Sequence, residues 1–489
     1  MPEFPLASPL LFVAASVSAG IWTRPSRRLG NLVTLRAVLE HGVVVVTSVA
    51  SAWVVTTAED PQLAIVPVGA LIIGVIIAAG YALTITGLLL ILLPVTHLLN
   101  DPDAAFSLQQ LWGVALLGCL LQLIATHSKG RAGFLILIAG VMTFIGALGA
   151  LLGPVPGDAL RAWFWIVLTV LVFLSARELA PHIPLGSAAV TMGTAAGVIV
   201  LLVLLNPYGS TETVDFVTGE VSQLSGGLTN PHTLAAVCLA LLPWTFVLVF
   251  GFRSSVTQLT GVLLCLALGV IVILTTIRSA QVGFAIFLLG AVIAATRTYR
   301  ERHSLWIPRA AVAGLIVLVT ITTLSSSSVG LRWSEIGVRY QSEGAARAGS
   351  GRLFLWDQAI RNFEEAPVSN QLFGSGLRSS RIFTLNRIGT DYSAHSDAFE
   401  LLVSAGVIGS AVIASLLVAL SLKLARVPGL LRSRKMAWLG TLAIASACAF
   451  VASALLNGFF FYTSAAVPGM AFLGYALGLG RPPSQPPSE

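Results

Sequence analysis

An all-α, polytopic transmembrane helical bundle of about 12 to 15 spans, carrying one large and partly helical outer loop, is the fold class this sequence predicts. Three observations predict it. Of 489 residues, 56% are hydrophobic and only 10% are charged, with a mean hydropathy of +0.89, whereas a soluble domain carries about 25% charged residues. Apolar runs long enough to cross roughly 30 Å of hydrocarbon, at about 1.5 Å per residue, recur along the chain. One long polar stretch, from Leu331 to Gly409, stands out among them and holds arginines at 332, 339, 347, 352, 361, 378, 381 and 387.

Taken in order, the apolar runs lie near 4–22, 37–57, 63–79, 81–98, 109–127, 133–153, 162–178, 187–205, 232–251, 256–277, 279–296, 310–324, 397–422, 437–456 and 459–479. The first, PLASPLLFVAASVSAGIW, has arginines after it and no basic region before it, so it reads as a retained span and not as a cleaved signal peptide. Only AAGYALT separates the third run from the fourth, and loop charge decides whether they form one helix or two. Cytoplasmic loops collect Lys and Arg. Arg24, Arg27, Arg28 and Arg36 share a side with Lys129 and Arg131 only if the chain crosses twice between 63 and 98.

Fifteen spans then place Arg177, Arg253, Arg297, Arg300, Arg302, Arg309, Lys423, Arg426, Arg432, Arg434, Lys435 and Arg481 inside as well, so that 18 of 28 basic residues are cytoplasmic and 17 of 21 acidic residues are not. The net charge of +7 is therefore accounted for by topology, and no nucleic-acid partner is implied. The expected organisation is transmembrane helices over 1–324, a large extracytoplasmic loop over 325–396, C-terminal spans over 397–480, and a short Pro-rich cytoplasmic tail over 481–489. Cys119, Cys238, Cys265 and Cys448 all sit in apolar runs without a CxxC or Cys/His cluster, and read as small hydrophobes.

Two outer segments exceed what connection requires: Asn206 to Pro231, which has no basic residue, and the large loop from Ser325 to Ser396. A loop of that length needs helices of its own. RLFLWDQAIRNFEEAP places Leu353, Trp356, Ile360 and Phe363 on one face and Arg361, Glu364 and Glu365 opposite, closed by Pro367. This predicts an amphipathic helix lying on the ends of the spans like a lid.

Several residues could carry chemistry. His395 stands in the order His395, Ser396, Asp397 just before an apolar run, where Ser396 or Asp397 could cap the helix. The positive helix end disfavours an imidazolium and leaves a nitrogen able to accept a proton from an alcohol. An isolated histidine at a helix entrance is ordinarily a packing residue. Arg278, in TTIRSAQ, lies between two spans with almost no loop. Such an arginine either snorkels to the interface or lines a site, since a charge at membrane depth costs about 2.5–3.5 kcal/mol on insertion scales. Arg352 follows Gly349, Ser350 and Gly351, and a guanidinium with free N–H groups at a helix start suits a phosphate. Arg378 and Arg381 follow the GSG of LFGSGLRSSR, a turn that could aim them at the same ligand. Asp101 and Asp103 pair across Pro102, a spacing that can hold a metal but is also ordinary turn chemistry. No HExxH, P-loop, GxSxG or Rossmann fingerprint occurs in a suitable context.

Together these segments resemble the O-antigen ligase and polymerase superfamily of bacterial membrane glycosyltransferases. HSDAFELLVSAGVIG is similar to the family's His-Asn start, leucine-rich run and Gly-x-x-Gly, with His395, Gly406 and Gly409 in those places. GRLFLWDQAI resembles its Gly-Arg-x-x-x-Trp segment, LFGSGL its Gly-x-Gly turn, TTIRSAQVGFAIFLLG its Thr-x-Ser-Arg stretch, and LTNPHTLAAVCLALLP its Asn-Pro segment. The similarity covers roughly 225 to 410, in order. Ser396 stands where Asn is usual, Ile277 where Ser is common before the arginine, and Ser404 where Glu is frequent.

The resemblance implies transfer of a glycan from a polyprenyl diphosphate carrier to an acceptor hydroxyl on the outer face of the cytoplasmic membrane, without metal or other cofactor. His395, Arg278 and Arg352 would then be catalytic, and Arg378, Arg381, Asp397 and His232 would bind substrate. The partners implied are a lipid-linked glycan donor, a glycan or lipid-glycan acceptor, and the bilayer. Two other readings stay open at this stage: a metal-dependent C-type glycosyltransferase using Asp101 and Asp103 with a polyprenyl phosphate sugar, and a transporter or flippase of lipid-linked glycans. Ligase and polymerase share the donor chemistry and differ in the acceptor.

Overall fold

The computed structural model of the chain describes residues 86–87, 89–91, 112–113, 115–120, 123, 132–154, 156–207, 214–215, 219–220, 224–226, 228, 230–252, 254–299, 314, 352–376, 379–388, 396–425, 436–460 and 462–479. Among the described residues, the first six helices described end to end are α1 (Ala132–Leu151), α2 (Pro156–Leu179), α3 (Leu185–Leu205), α4 (Pro231–Gly251), α5 (Ser255–Leu274) and α6 (Arg278–Tyr299). Three shorter ones follow, α7 (Arg352–Glu364), α8 (Val368–Phe373) and α9 (Ser379–Ile388), then α10 (Asp397–Ala425), α11 (Ala437–Leu456) and α12 (Thr463–Leu479). A two-residue antiparallel pair, Val214–Asp215 with Gly219–Glu220, lies between α3 and α4. Each long helix falls on an apolar run of the sequence, and seven are long and apolar enough to cross a membrane. The protein is an all-α polytopic helical bundle. The predicted runs at 4–22, 37–57 and 63–79 lie outside the described residues, those at 81–98 and 109–127 are described in part, and that at 310–324 is described only at residue 314.

α4 is the axis of the bundle. It is apolar on every side, as a helix must be when neighbours surround it, and all but His232 and Gly251 of its 21 residues are buried. Asn230 starts it by accepting the Thr233 backbone N–H at 2.7 Å, with Pro231 in the first turn, where its missing N–H costs nothing. Deeper in the helix, the Trp244 indole donates to the Pro468 carbonyl of α12 at 3.0 Å. The outer helices are half-buried, and their exposed residues are large and apolar: Phe144 and Leu151 on α1, Leu204 on α3, Val256 and Leu263 on α5. An apolar outer surface of this kind fits lipid and not water.

Small residues set the closest helix contacts. A Cβ added to Gly290 of α6 would lie 2.0 Å from the Ala445 Cβ of α11, and one added to Gly283 would lie 2.9 Å from the Ala449 carbonyl oxygen. The parallel pair α2 and α12 meets in the same way, because Gly474 and Gly478, a GxxxG spacing, face the carbonyls of Phe173 and Arg177. Without a hydrophobic force between helices in lipid, such close backbone approach supplies the packing energy.

The predicted amphipathic helix forms as α7, with its buried face rotated from the expected one. Gln358 and Ala359 are buried, whereas Leu353, Phe354 and Ile360 are exposed. Trp356 stacks on Phe399 of α10 at 5.1 Å, and Phe363 packs beside Ala359 and Val403. The aromatic anchor on α10 therefore sets the helix's rotation, and not the sum of its apolar residues.

Candidate functional site

The chain reverses so that α4, α6, α10 and α12 begin at the same end of the bundle where α5 and α11 finish, and the polar residues gather there. Their meeting point is the turn from Leu456 to Phe460 between α11 and α12. Gly458 makes the turn possible, with φ +94, and a Cβ there would lie 2.9 Å from Asp397 Oδ1. From one flank Arg352, the first residue of α7, donates to the Leu456 carbonyl and, at 3.5 Å, to Asn457 Oδ1. From the other flank Asp397, the first residue of α10, accepts the backbone N–H groups of Phe459 and Phe460 at 2.6 and 2.7 Å. Both ends of the segment from Arg352 to Asp397 are thus fastened to one turn.

This arrangement corrects the expected helix cap. Asp397 spends its Oδ2 on a turn 62 and 63 residues away, and the Ser396 hydroxyl is buried without a hydrogen-bond partner among the described residues, so neither side chain caps α10. A local cap loses to two charge-assisted bonds that reach orphan N–H groups before α12.

His232, in the first turn of α4, joins the cluster through a 2.7 Å bond between its Nδ1 and Asn457 Nδ2. Arg278, the first residue of α6, stands close enough to Arg352 for their charges to repel. Burial first, and the Arg278 charge second, hold the Arg352 guanidinium down to about 10, with Tyr462 partly opposing them. Tyr462 lies within electrostatic reach of both Asp397 and Arg352. Two like charges brought together beside a buried turn form a place where a doubly charged anion would relieve repulsion.

The turn before Arg278 is tight. Thr276 takes φ +58, a conformation rare for a β-branched residue, and such backbone costs of order 1–3 kcal/mol. Its hydroxyl and that of Ser279 are buried on either side of Arg278 with no hydrogen-bond partner among the described residues. Buried hydroxyls are ordinarily satisfied, and these two are exceptions among the described residues.

A second junction locks α8 and α9 to α10. Gly406 breaks α10 with φ +65 and ψ −172, so the carbonyls of Val403 and Ser404 lose their helical partners. The N–H groups of Ser375 and Gly376 take those carbonyls, each at 3.0 Å. The Gly-x-Gly and Gly-x-x-Gly segments noted in the sequence therefore meet each other, and a Cβ on Gly153, just after α1, would strike the Ser375 carbonyl at 1.9 Å. Next to this junction Ser380 of α9 donates to the buried Glu400, which also accepts from Ser404 at 3.4 Å.

Of the residues singled out in the sequence, Arg278, Arg352, His232 and Asp397 come together at this end of the bundle. Arg381 lies on α9, whose backbone packs against α7 and α10. His395 and Arg378 lie outside the described residues, as do Asp101 and Asp103. Sequence reasoning missed Asn457 and Glu400. Glu400 carried a signal, because it lies four residues before Ser404, the place where the resemblance leads one to look for a Glu, and a spacing of four shares a helix face. Asn457 carried none beyond being a polar residue between two apolar runs.

Residues 262–414 match the protein-family model described as O-Antigen ligase. No curated protein matches the chain. The match supports the O-antigen ligase and polymerase superfamily and, with it, a glycosyltransferase-type activity on lipid-linked glycans by a multi-pass membrane protein. Arg278, Arg352, Arg378, Arg381, His395 and Asp397 fall within the matched residues, whereas His232, Asn457 and Tyr462 do not.

Proposed function

We propose that this protein transfers a glycan from a polyprenyl diphosphate carrier to an acceptor hydroxyl, with inversion at the anomeric carbon and without a metal. The observation that carries the proposal is the pair of arginines, Arg278 and Arg352, which begin α6 and α7 within electrostatic reach of each other inside the segment that matches O-Antigen ligase. They bind the diphosphate and stabilise the charge that grows on it as the bond from sugar C1 to oxygen breaks. His395 takes the proton of the acceptor hydroxyl as that oxygen attacks C1 from the opposite face. A diphosphate is a good leaving group, so one base and charge stabilisation suffice. Arg378, Arg381, Asp397 and His232 contribute to donor and acceptor binding.

The sidedness follows from charge. Arg177 and Arg297 lie near the far ends of α2 and α6, away from Arg278. By the positive-inside rule that far end faces the cytoplasm of the inner membrane, and the site faces outward. The organisation into spans over 1–324, an outer loop over 325–396, spans over 397–480 and a tail is part of the same reading.

The test is an assay with purified full-length protein, a fluorescent polyprenyl diphosphate oligosaccharide and EDTA. Wild type is expected to form a new glycosidic product and His395→Ala to form none; one product indicates a ligase and a ladder a polymerase. Equal transfer by wild type and His395→Ala would overturn the proposal, as would movement of intact donor across vesicles with no covalent product.

A further inference from the structure

Asn457 closes α11 in a buried position, with a side chain touched by two partners that no local pattern connects to it. One partner is Arg352, 105 residues away, and the other is His232, 225 residues away. The chemistry of these three groups leaves a single arrangement. A guanidinium only donates, so the amide must turn its oxygen to Arg352. That leaves the amide nitrogen, which also only donates, against His232 Nδ1 at 2.7 Å. His232 Nδ1 must then carry a lone pair, and the ring proton sits on Nε2, at the edge of the ring away from Asn457.

We infer that Asn457 is a positioning residue for the site: its amide holds the Arg352 guanidinium and fixes His232 in the Nε2–H tautomer, the form in which the ring donates and does not accept at Nε2. The inference rests on the anion-binding reading given under Proposed function and adds to it a donor and its support from outside the matched residues 262–414. The arrangement also explains why the position needs an amide. Aspartate has the same shape and would keep Arg352, but it presents an acceptor to Nδ1, which draws the proton there and removes it from Nε2 or makes the ring an imidazolium. Among the described residues, the charged and titratable groups near the pair include Arg352, Arg278 and Tyr462, with Asp397 across Gly458.

The tautomer is measured directly by 15N NMR of histidine-labelled full-length protein in nanodiscs, with His232 assigned among the seven histidines by comparison with His232→Ala. Wild type is expected to show the Nε2–H form and Asn457→Asp the Nδ1–H form or imidazolium. An Nδ1–H form or imidazolium in wild type would overturn the inference. In the transfer assay Asn457→Asp is expected to lower turnover by about 10- to 100-fold, the scale of a small misplacement of catalytic groups. In a His232→Ala background it is expected to cost no more than about twofold, because coupled residues are not additive. Equal losses in both backgrounds would also overturn it. Absence of transfer by wild type would instead count against the glycosyltransfer reading, and the NMR result would still decide on Asn457.

Discussion

The interior of the bundle and its polar end are held by opposite means. Between α6 and α11, and between α2 and α12, backbones touch because Gly283, Gly290, Gly474 and Gly478 have nothing to interpose. At the Leu456 to Phe460 turn, single polar side chains from α4, α7 and α10 reach across and fasten three elements to one short loop. The first kind of contact specifies how near two helices lie and tolerates no added volume. The second specifies the placement of individual atoms, and its loss leaves the helices where they are. Damage in the interior should therefore remove the protein, and damage at the polar end should remove the activity.

The largest effects sharpen that contrast from the interior side. Gly290→Leu and Gly474→Leu each force a side chain where a Cβ alone would lie 2.0 Å from Ala445 Cβ or 2.1 Å from the Phe173 carbonyl oxygen. Overpacking costs about 1–3 kcal/mol even where neighbours are side chains, and against a neighbouring helix the expected result is no folded, monodisperse protein after extraction. Arg352→Ala comes next: transfer falls by about 100-fold or more, as when an electrostatic donor to a developing charge is removed, while detergent-solubilised yield stays at the wild-type level. Loss of yield in Arg352→Ala would break the distinction between the two regions.

Gly406→Ala lies between the two classes. It places a side chain at φ +65, where non-glycine residues cost about 1–2 kcal/mol, and puts a Cβ 2.5 Å from the Gly374 nitrogen and Leu372 backbone. A melting temperature several degrees lower, with a proportionate loss of transfer, is expected. Trp244→Phe removes one buried bond to Pro468, worth about 1 kcal/mol, and should lower thermal stability slightly without changing transfer kinetics. Arg361→Ala removes an exposed pair with Asp357 at 2.9 Å; such pairs contribute roughly 0–1 kcal/mol, and both stability and transfer are expected to stay as in wild type.

What was legible in the sequence follows the same division. Spans are local properties of composition, and each long described helix lies on an apolar run found by length and hydropathy. The arginines were legible too, since a charge such as Arg278 between two spans has few structural uses. The rotation of α7 was not, because its exposed Leu353 and Ile360 belong by periodicity to the apolar face, and only the stacking of Trp356 on Phe399 decides otherwise. Nor was the destination of Asp397, which by local rules caps its own helix and in the fold serves Phe459 and Phe460. Asn457 illustrates the limit most sharply. Its role lies in who meets it, and both partners come from distant parts of the chain.

The central claim is that Arg278 and Arg352 act together on a diphosphate. It is tested most directly by the affinity of full-length protein in nanodiscs for a fluorescent polyprenyl diphosphate, in wild type, Arg278→Ala, Arg352→Ala and the double variant. Each single variant is expected to bind at least about tenfold more weakly, since a charged hydrogen bond contributes about 1.5–3 kcal/mol, with the double variant weaker still and all four folding alike. Wild-type affinity in the double variant would contradict the account.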